Sequence, residues 1–192
     1  MTDPKRVALW LALACGGVAA CATTSTTIEQ SWRSPGSTVA RPHNIAVVYM
    51  SQDGAIRRTA EDRMASQLWA RGLRAVASYN VLADSQVAPN QRTAAKRSLA
   101  AAGFDGVLVM RLVGRDNADQ YQSYGYNGSV VRVESNLYSL PDDKLVWSAL
   151  SQTIDPSGAP MVIDETTTAV ANQMQREGVT PAQRAATATA KR

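Results

Sequence analysis

The chain has 192 residues, a length that fits one domain of the usual ~100–200 residues and excludes a large multidomain machine. Charged residues make up 19% of it, too few for a disordered polyelectrolyte, and the net charge is +4. A single His and two Cys remove most catalytic and metal chemistry at the outset.

The first segment reads as an address. Lys5 and Arg6 precede Val7 to Ala20, an unbroken run of 14 apolar and small residues. Such a run is too short for a membrane span, which takes ~20 helical residues. A short apolar run behind positive charge is the pattern of an export signal. It ends Val18-Ala19-Ala20-Cys21, which resembles the lipobox of bacterial lipoproteins. The resemblance implies that the Cys21 thiol receives diacylglycerol and that residues 1–20 are removed as a lipoprotein signal peptide. Cys15 is the competing thiol, but Ala12 stands where the aliphatic residue belongs. Cleavage before Cys21 removes Cys15 and leaves no pair for a disulfide, even in an oxidising compartment. Two or three acyl chains, at ~0.8 kcal/mol per buried CH₂, anchor a chain almost permanently. Ala22 follows Cys21 in place of Asp, which by analogy with sorting rules favours the outer membrane, with the domain facing the periplasm.

Residues 21–42 are expected to form a lipidated tether, since they are Thr/Ser/Ala-rich at first and carry Pro35 and Pro42 later. Trp32 interrupts this stretch, either packing on the domain surface or facing a partner.

An α/β domain is expected over residues 43–178. Asn44 to Met50 is a continuous β-branched apolar run, suited to a strand buried on both faces. Ile56, Ala60, Met64 and Leu68 recur every four residues and predict a helix over 55–71, with Arg57, Arg58, Glu61, Asp62 and Arg63 largely outside its apolar stripe. Gly72 suits its C-terminal end. Leu73 to Ser78 is a second strand. Asn90 is a candidate cap for a helix over 91–102, closed by Gly103. Gly106 to Val113 is a third buried strand, followed by a polar loop to residue 129. Val130 to Ser139 alternates apolar and polar residues, the period of a half-exposed strand. Leu140 to Lys144 turns by its Pro-Asp chemistry, and Leu145 to Ile154 pairs back, with Trp147 facing inward. A last helix spans about 160–177 with Ile163, Thr167, Val170 and Met174 on one stripe. Residues 179–192 are expected to be a disordered tail. The order is β-α-β-α-β-β-β-α: one five-stranded mixed sheet packed with three helices. Its edges are expected near strands 73–78 and 145–154, and free edges invite strand addition.

This order resembles a family of envelope domains. They include the N-terminal domain of the Tol-system translocation protein, the curli secretion lipoprotein and the lipoprotein activators of penicillin-binding proteins. The residues that carry it are Asn44-Ile-Ala-Val-Val, Leu68-Trp-Ala-Arg-Gly72, Phe104-Asp-Gly-Val-Leu-Val-Met, and the hairpin Leu137-Tyr-Ser to Lys144-Leu-Val-Trp-Ser148. The chain is also similar to small bacterial lipoproteins of unknown function. The resemblance implies a periplasmic binding or assembly module. The curli protein's membrane-spanning hairpins have no counterpart here, so pore formation is not implied.

Catalytic signatures are absent from the sequence: no Gly-x-Ser-x-Gly elbow, Walker loop or His-Glu-x-x-His helix occurs. His43 stands alone, whereas a zinc site takes three or four protein ligands. The acid pairs Glu61-Asp62, Asp142-Asp143 and Asp164-Glu165 are sequence neighbours, which do not face one another on a helix. No enzyme activity, cofactor or metal is expected. Charge is uneven: residues 54–115 carry ten basic and four acidic side chains, residues 116–177 three and nine. The basic helices, with Arg57 and Arg58 foremost, are either a solvated face or an electrostatic footprint for an anionic envelope component such as peptidoglycan, lipopolysaccharide or an acidic protein. An exported lipoprotein does not meet nucleic acid routinely. Tyr121, Tyr124 and Tyr126 lie in a Gly/Ser/Asn-rich loop, either a partner-binding surface or a mere connection. The expected function is a membrane-anchored, non-enzymatic binding or assembly module, with the membrane as one partner through Cys21. A structural oligomer and a cell-wall hydrolase are the alternatives.

The anchor has a direct test. Cys21→Ser should abolish metabolic labelling by a fatty acid, because Ser cannot form the thioether; labelling that persists would assign the lipid to Cys15.

Overall fold

Six strands and three α-helices make up the regular structure of the residues that the computed structural model describes, namely 25–35, 41–116 and 129–180. They are β1 (Thr26–Arg33), β2 (Asn44–Met50), α1 (Gly54–Trp69), β3 (Arg74–Ala77), α2 (Arg92–Ala101), β4 (Gly106–Asp116), β5 (Val130–Ser139), β6 (Lys144–Ile154) and α3 (Ala159–Arg176). Short 3₁₀ turns fill residues 78–80, 84–87 and 89–91. The strands form one mixed sheet in the order β1-β6-β5-β4-β2-β3. β2 runs parallel to both of its neighbours, β3 and β4, and the remaining pairs are antiparallel.

The α/β class and the eight elements expected from residue 44 onward are all present. Asp53 starts α1 by accepting from the backbone N–H groups of Ala55 and Ile56 at 2.8 and 3.1 Å. Gly72 and Gly103 follow α1 and α2 at φ of 78° and 82°, a left-handed conformation that suits glycine. α2 begins at Arg92, after a 3₁₀ turn that takes up Asn90, so Gln91 occupies the cap position without a side-chain bond.

The sixth strand corrects the expected tether. β1 lies inside residues 21–42 and pairs antiparallel with β6, from Thr26 opposite Thr153 to Arg33 opposite Trp147. It escaped the sequence pattern because an edge strand needs backbone partners on one side only, and most of its side chains are exposed. Consequently β6 is no edge. The sheet ends in β1 and β3, and only the latter was expected. The expected disordered tail also starts too early, since Val179 and Thr180 are buried.

β1 is held by two carboxylates of α3 and the turn after it. Ser25 and Thr26 donate to Glu165 at 2.9 Å each, and Thr26 and Thr153 share a hydrogen bond of 2.7 Å. Glu177 accepts from Ser31 at 2.5 Å, from Gln173 at 2.7 Å and from the Trp147 indole N–H. Burial pushes the Glu177 carboxyl up, but these donors and the nearby Arg33 outweigh it and hold the group below the ordinary carboxylate range.

The main core lies on one face of the sheet. α1 contributes Ala60, Met64 and Leu68, and α3 contributes Ile163, Val170 and Met174. They meet Ile45 and Val47 of β2, Leu108 and Met110 of β4, and Leu137 and Trp147 of the hairpin strands. Trp147 is fully buried. Trp147→Ala removes this packing and the bond to Glu177, at a cost of about 3–5 kcal/mol. The melting temperature followed by circular dichroism should fall by on the order of 10 °C; an unchanged melt would put the indole at the surface.

Candidate functional site

The strand order decides where a site is available. The crossover from β2 to β3 places α1 on the main-core face, and the crossover from β3 back past β2 to β4 places α2 on the opposite face. Among the described residues, only α2, with ten residues, and the 3₁₀ turns before it cover that second face. Their small core joins Leu82 and Leu99 to Ala46, Phe104 and Leu140. Val107 and Val109 of β4, within the run expected to be a buried strand, are central in the sheet but only half-buried, because their side of β4 is left partly uncovered.

Between α2 and the sheet lies an open groove of about 560 Å³. It follows β4 from Val107 to Leu112 and is also lined by Val48 and Met50 of β2 and by Ala95 and Leu99 of α2. Leu112, toward one end of it, is 48% exposed. Polar groups sit at the borders. Arg92 and Lys96 of α2 share the carboxylate of Asp143 at 3.6 and 3.2 Å, and the Arg92 guanidinium lies 5.3 Å from the centre of the Tyr138 ring. Arg111 pairs with Glu134 at 2.5 Å.

Neither Arg57 nor Arg58, the two sequence-predicted site residues that the structure describes, lines this groove. Cys21, Tyr121, Tyr124 and Tyr126 lie outside the described residues. Arg57, expected either on a solvated face or in a footprint for an anionic partner, is only 5% exposed and pairs with Asp84 at 2.5 Å. Arg58 is exposed and lies 5.7 Å from the centre of the Tyr79 ring. Arg63 and Arg71 turn toward α3, meeting Asp164 at 3.0 Å and Asn172 at 2.5 Å. The basic side chains of the first two helices therefore form no single patch, since those helices sit on opposite faces. Each acid pair is divided too: Asp142 takes Ser139 at 2.9 Å, while Glu165 binds the start of β1. Among the described residues, no three His, Cys, Asp or Glu side chains are placed to hold a metal. No described helix is long and apolar enough to cross a membrane.

Sequence reasoning passed over the groove residues. The signal was present in β4, whose run is apolar on both faces while only one short helix follows β3 to cover the second. It also missed Glu61, which is fully buried at the carboxyl ends of β2 and β3. Its carboxylate accepts from Tyr49 N–H at 3.0 Å, Ser78 Oγ at 2.8 Å and Tyr79 N–H at 3.3 Å, so it ties α1 to the ends of both strands.

No family model and no curated protein matches the chain. Solved structures share its outline. The PelC dodecamer from Paraburkholderia phytofirmans is 17% identical with a TM-score of 0.47, over 76% of this chain and 94% of that one. Lipoprotein GNA1162 from Neisseria meningitidis is 18% identical with a TM-score of 0.40, over 70% and 99%. A minor lipoprotein from Acinetobacter baumannii is 8% identical with a TM-score of 0.35, over 70% and 94%. At such distances the function has to be read from the chain's own residues.

Burial pushes the Glu61 carboxyl above the ordinary carboxylate range, and its three donors and Arg57 only partly offset this. The folded state thus holds the proton more tightly than the unfolded chain. The resulting stability is present below the ordinary carboxylate pKa and is lost as pH rises through the folded value. Glu61→Gln should cost about 1–3 kcal/mol at acidic pH. Urea denaturation should show the gap to wild type narrowing as pH rises; a constant gap would mean that the carboxyl titrates normally.

Proposed function

We propose that this chain is a lipid-anchored, non-enzymatic module of the bacterial envelope. Cys21 fixes it to the outer membrane, and the periplasmic domain binds a second envelope component in the groove between α2 and the sheet. The observation that carries the reading is the groove itself: apolar along its length, charged at its borders, and within the ~300–1,000 Å³ of pockets that take ligands.

The spacing of the anchor supports it. β1 begins at Thr26, and Ser25 already bonds Glu165. Four peptide steps from Cys21 to Ser25 span at most ~14 Å. The domain is then held close against the bilayer, where a long tether would have let it range. Ser25 lies at the end of the sheet where β4 finishes and β5 starts, because Thr26 pairs with Thr153, and Val130 with both Ile154 and Asp116. Leu112 and Met50 line the groove toward that same end. The loop carrying Tyr121, Tyr124 and Tyr126 joins β4 to β5 there, so these side chains are proposed to extend the docking surface, with Arg58 steering approach.

A second reading is self-assembly. Trp32 of β1 and Val113 of β4 are exposed on one further hollow, which Gln30, Ser148 and Leu150 also line, and the outer edge of β1 has no strand partner among the described residues. A second copy would cover both features.

A photo-crosslinking side chain placed at Leu112 in intact cells distinguishes the readings. Leu112 should crosslink an envelope component, identified by mass spectrometry, at least tenfold more than the same group at Thr59 on the exposed side of α1. Crosslinks only to a second copy of the chain favour the oligomer; equal yields at both positions discard the groove.

A further inference from the structure

We infer that the groove's occupant is a single-chain anionic amphiphile: a long acyl chain along β4, with its carboxylate held by Arg92 and Lys96. The inference rests on the reading of the groove as the binding site of an envelope module and names the chemistry of what it binds.

Three observations carry it. The walls offer side chains and almost no backbone partners. β4 is bonded to β2 on one side and β5 on the other from Gly106 to Arg111, β2 is bonded to β3 and β4 as far as Val47, and Tyr49 N–H is taken by Glu61; among the described residues the sheet ends in β1 and β3. An extended peptide laid along Val107, Val109 and Leu112 would bury N–H and C=O groups with nothing to receive them, whereas an acyl chain has none. The size fits as well. From Val107 to Leu112 the strand rises about 17 Å, and the cavity beside it holds about 560 Å³.

Charge settles the polar end. Arg92 and Lys96 bring two positive charges to the single carboxylate of Asp143. One positive charge is left over, beside the apolar floor at Val107 and Tyr138. A carboxylate entering there completes the pairing without displacing Asp143. Arg111 at the opposite end is already matched by Glu134, so it offers no comparable surplus. The amphiphile's head therefore lies at α2 and its tail points toward Leu112, the end of the sheet nearest the anchor.

The test uses the full-length lipidated protein in isolated membranes without ATP, so that no probe is incorporated enzymatically. A photoactivatable long-chain fatty acid is added, the sample is irradiated, and adducts are mapped by mass spectrometry. Adducts should concentrate on the peptides bearing Leu99, Val109 and Leu112. Charge reversal at both Arg92→Glu and Lys96→Glu should reduce them at least fivefold and admit the matching long-chain amine probe, with the melting curve retained. Leu112→Glu, at an exposed position, should reduce labelling by either probe. Adducts spread evenly over the surface, or unchanged by charge reversal, overturn the inference. If the fatty acid leaves the groove unlabelled while Leu112 still crosslinks an envelope protein, the amphiphile is wrong and the module reading stands. If neither occurs, the module reading falls with it.

Discussion

The position of β2, parallel to a neighbour on each side, governs the molecule. A right-handed crossover to β3 on one side and another from β3 to β4 on the other side must leave the sheet on opposite faces. α1 therefore joins α3 over one face, and α2 is the one α-helix among the described residues on the other. Two helices of 16 and 18 residues bury the main core, while ten residues of α2 cannot cover six strands. The groove is the space that this imbalance leaves. Its apolar floor follows because β4 carries β-branched and aliphatic side chains on both faces, as an interior strand does.

The same constraint distributes the charges. Viewed along the chain, the basic residues of the first two helices look like one surface. In space α1 spends Arg63 and Arg71 on α3, turns Arg57 inward and leaves Arg58 beside Tyr79. α2 carries Arg92 and Lys96 to the groove. The acidic half of the chain is used largely as fastening. Glu165 and Glu177 receive the hydroxyls of β1, and Glu177 also receives the Trp147 indole, so one carboxylate links the edge strand to the deepest side chain of the core. β1 is thereby joined to the domain by side chains as well as by its backbone ladder. The opposite edge is short, and Trp69 donates its indole N–H to the Ala75 carbonyl of β3 at 2.6 Å, which leaves that edge less open to strand addition.

The sequence by itself determined the α/β class, because hydrophobic period is a local property. It determined the main-core stripes of α1 and α3, where Ala60, Met64, Leu68, Ile163, Thr167, Val170 and Met174 are all buried as their spacing required. It placed Trp147 inward and fixed the ends of α1 and α2 at Gly72 and Gly103, where a left-handed residue has to stand. Tertiary structure alone decided the rest. β1 is polar and Thr-rich, and its strand character comes from a ladder with β6 more than a hundred residues away. Arg57 and Glu61 stand between apolar positions of α1 and become buried only because the ends of β2 and β3 arrive over them. The groove likewise belongs to no segment. It exists because strand order assigns α2 to a face it is too short to close, and strand order is set by long-range pairing that periodicity does not encode.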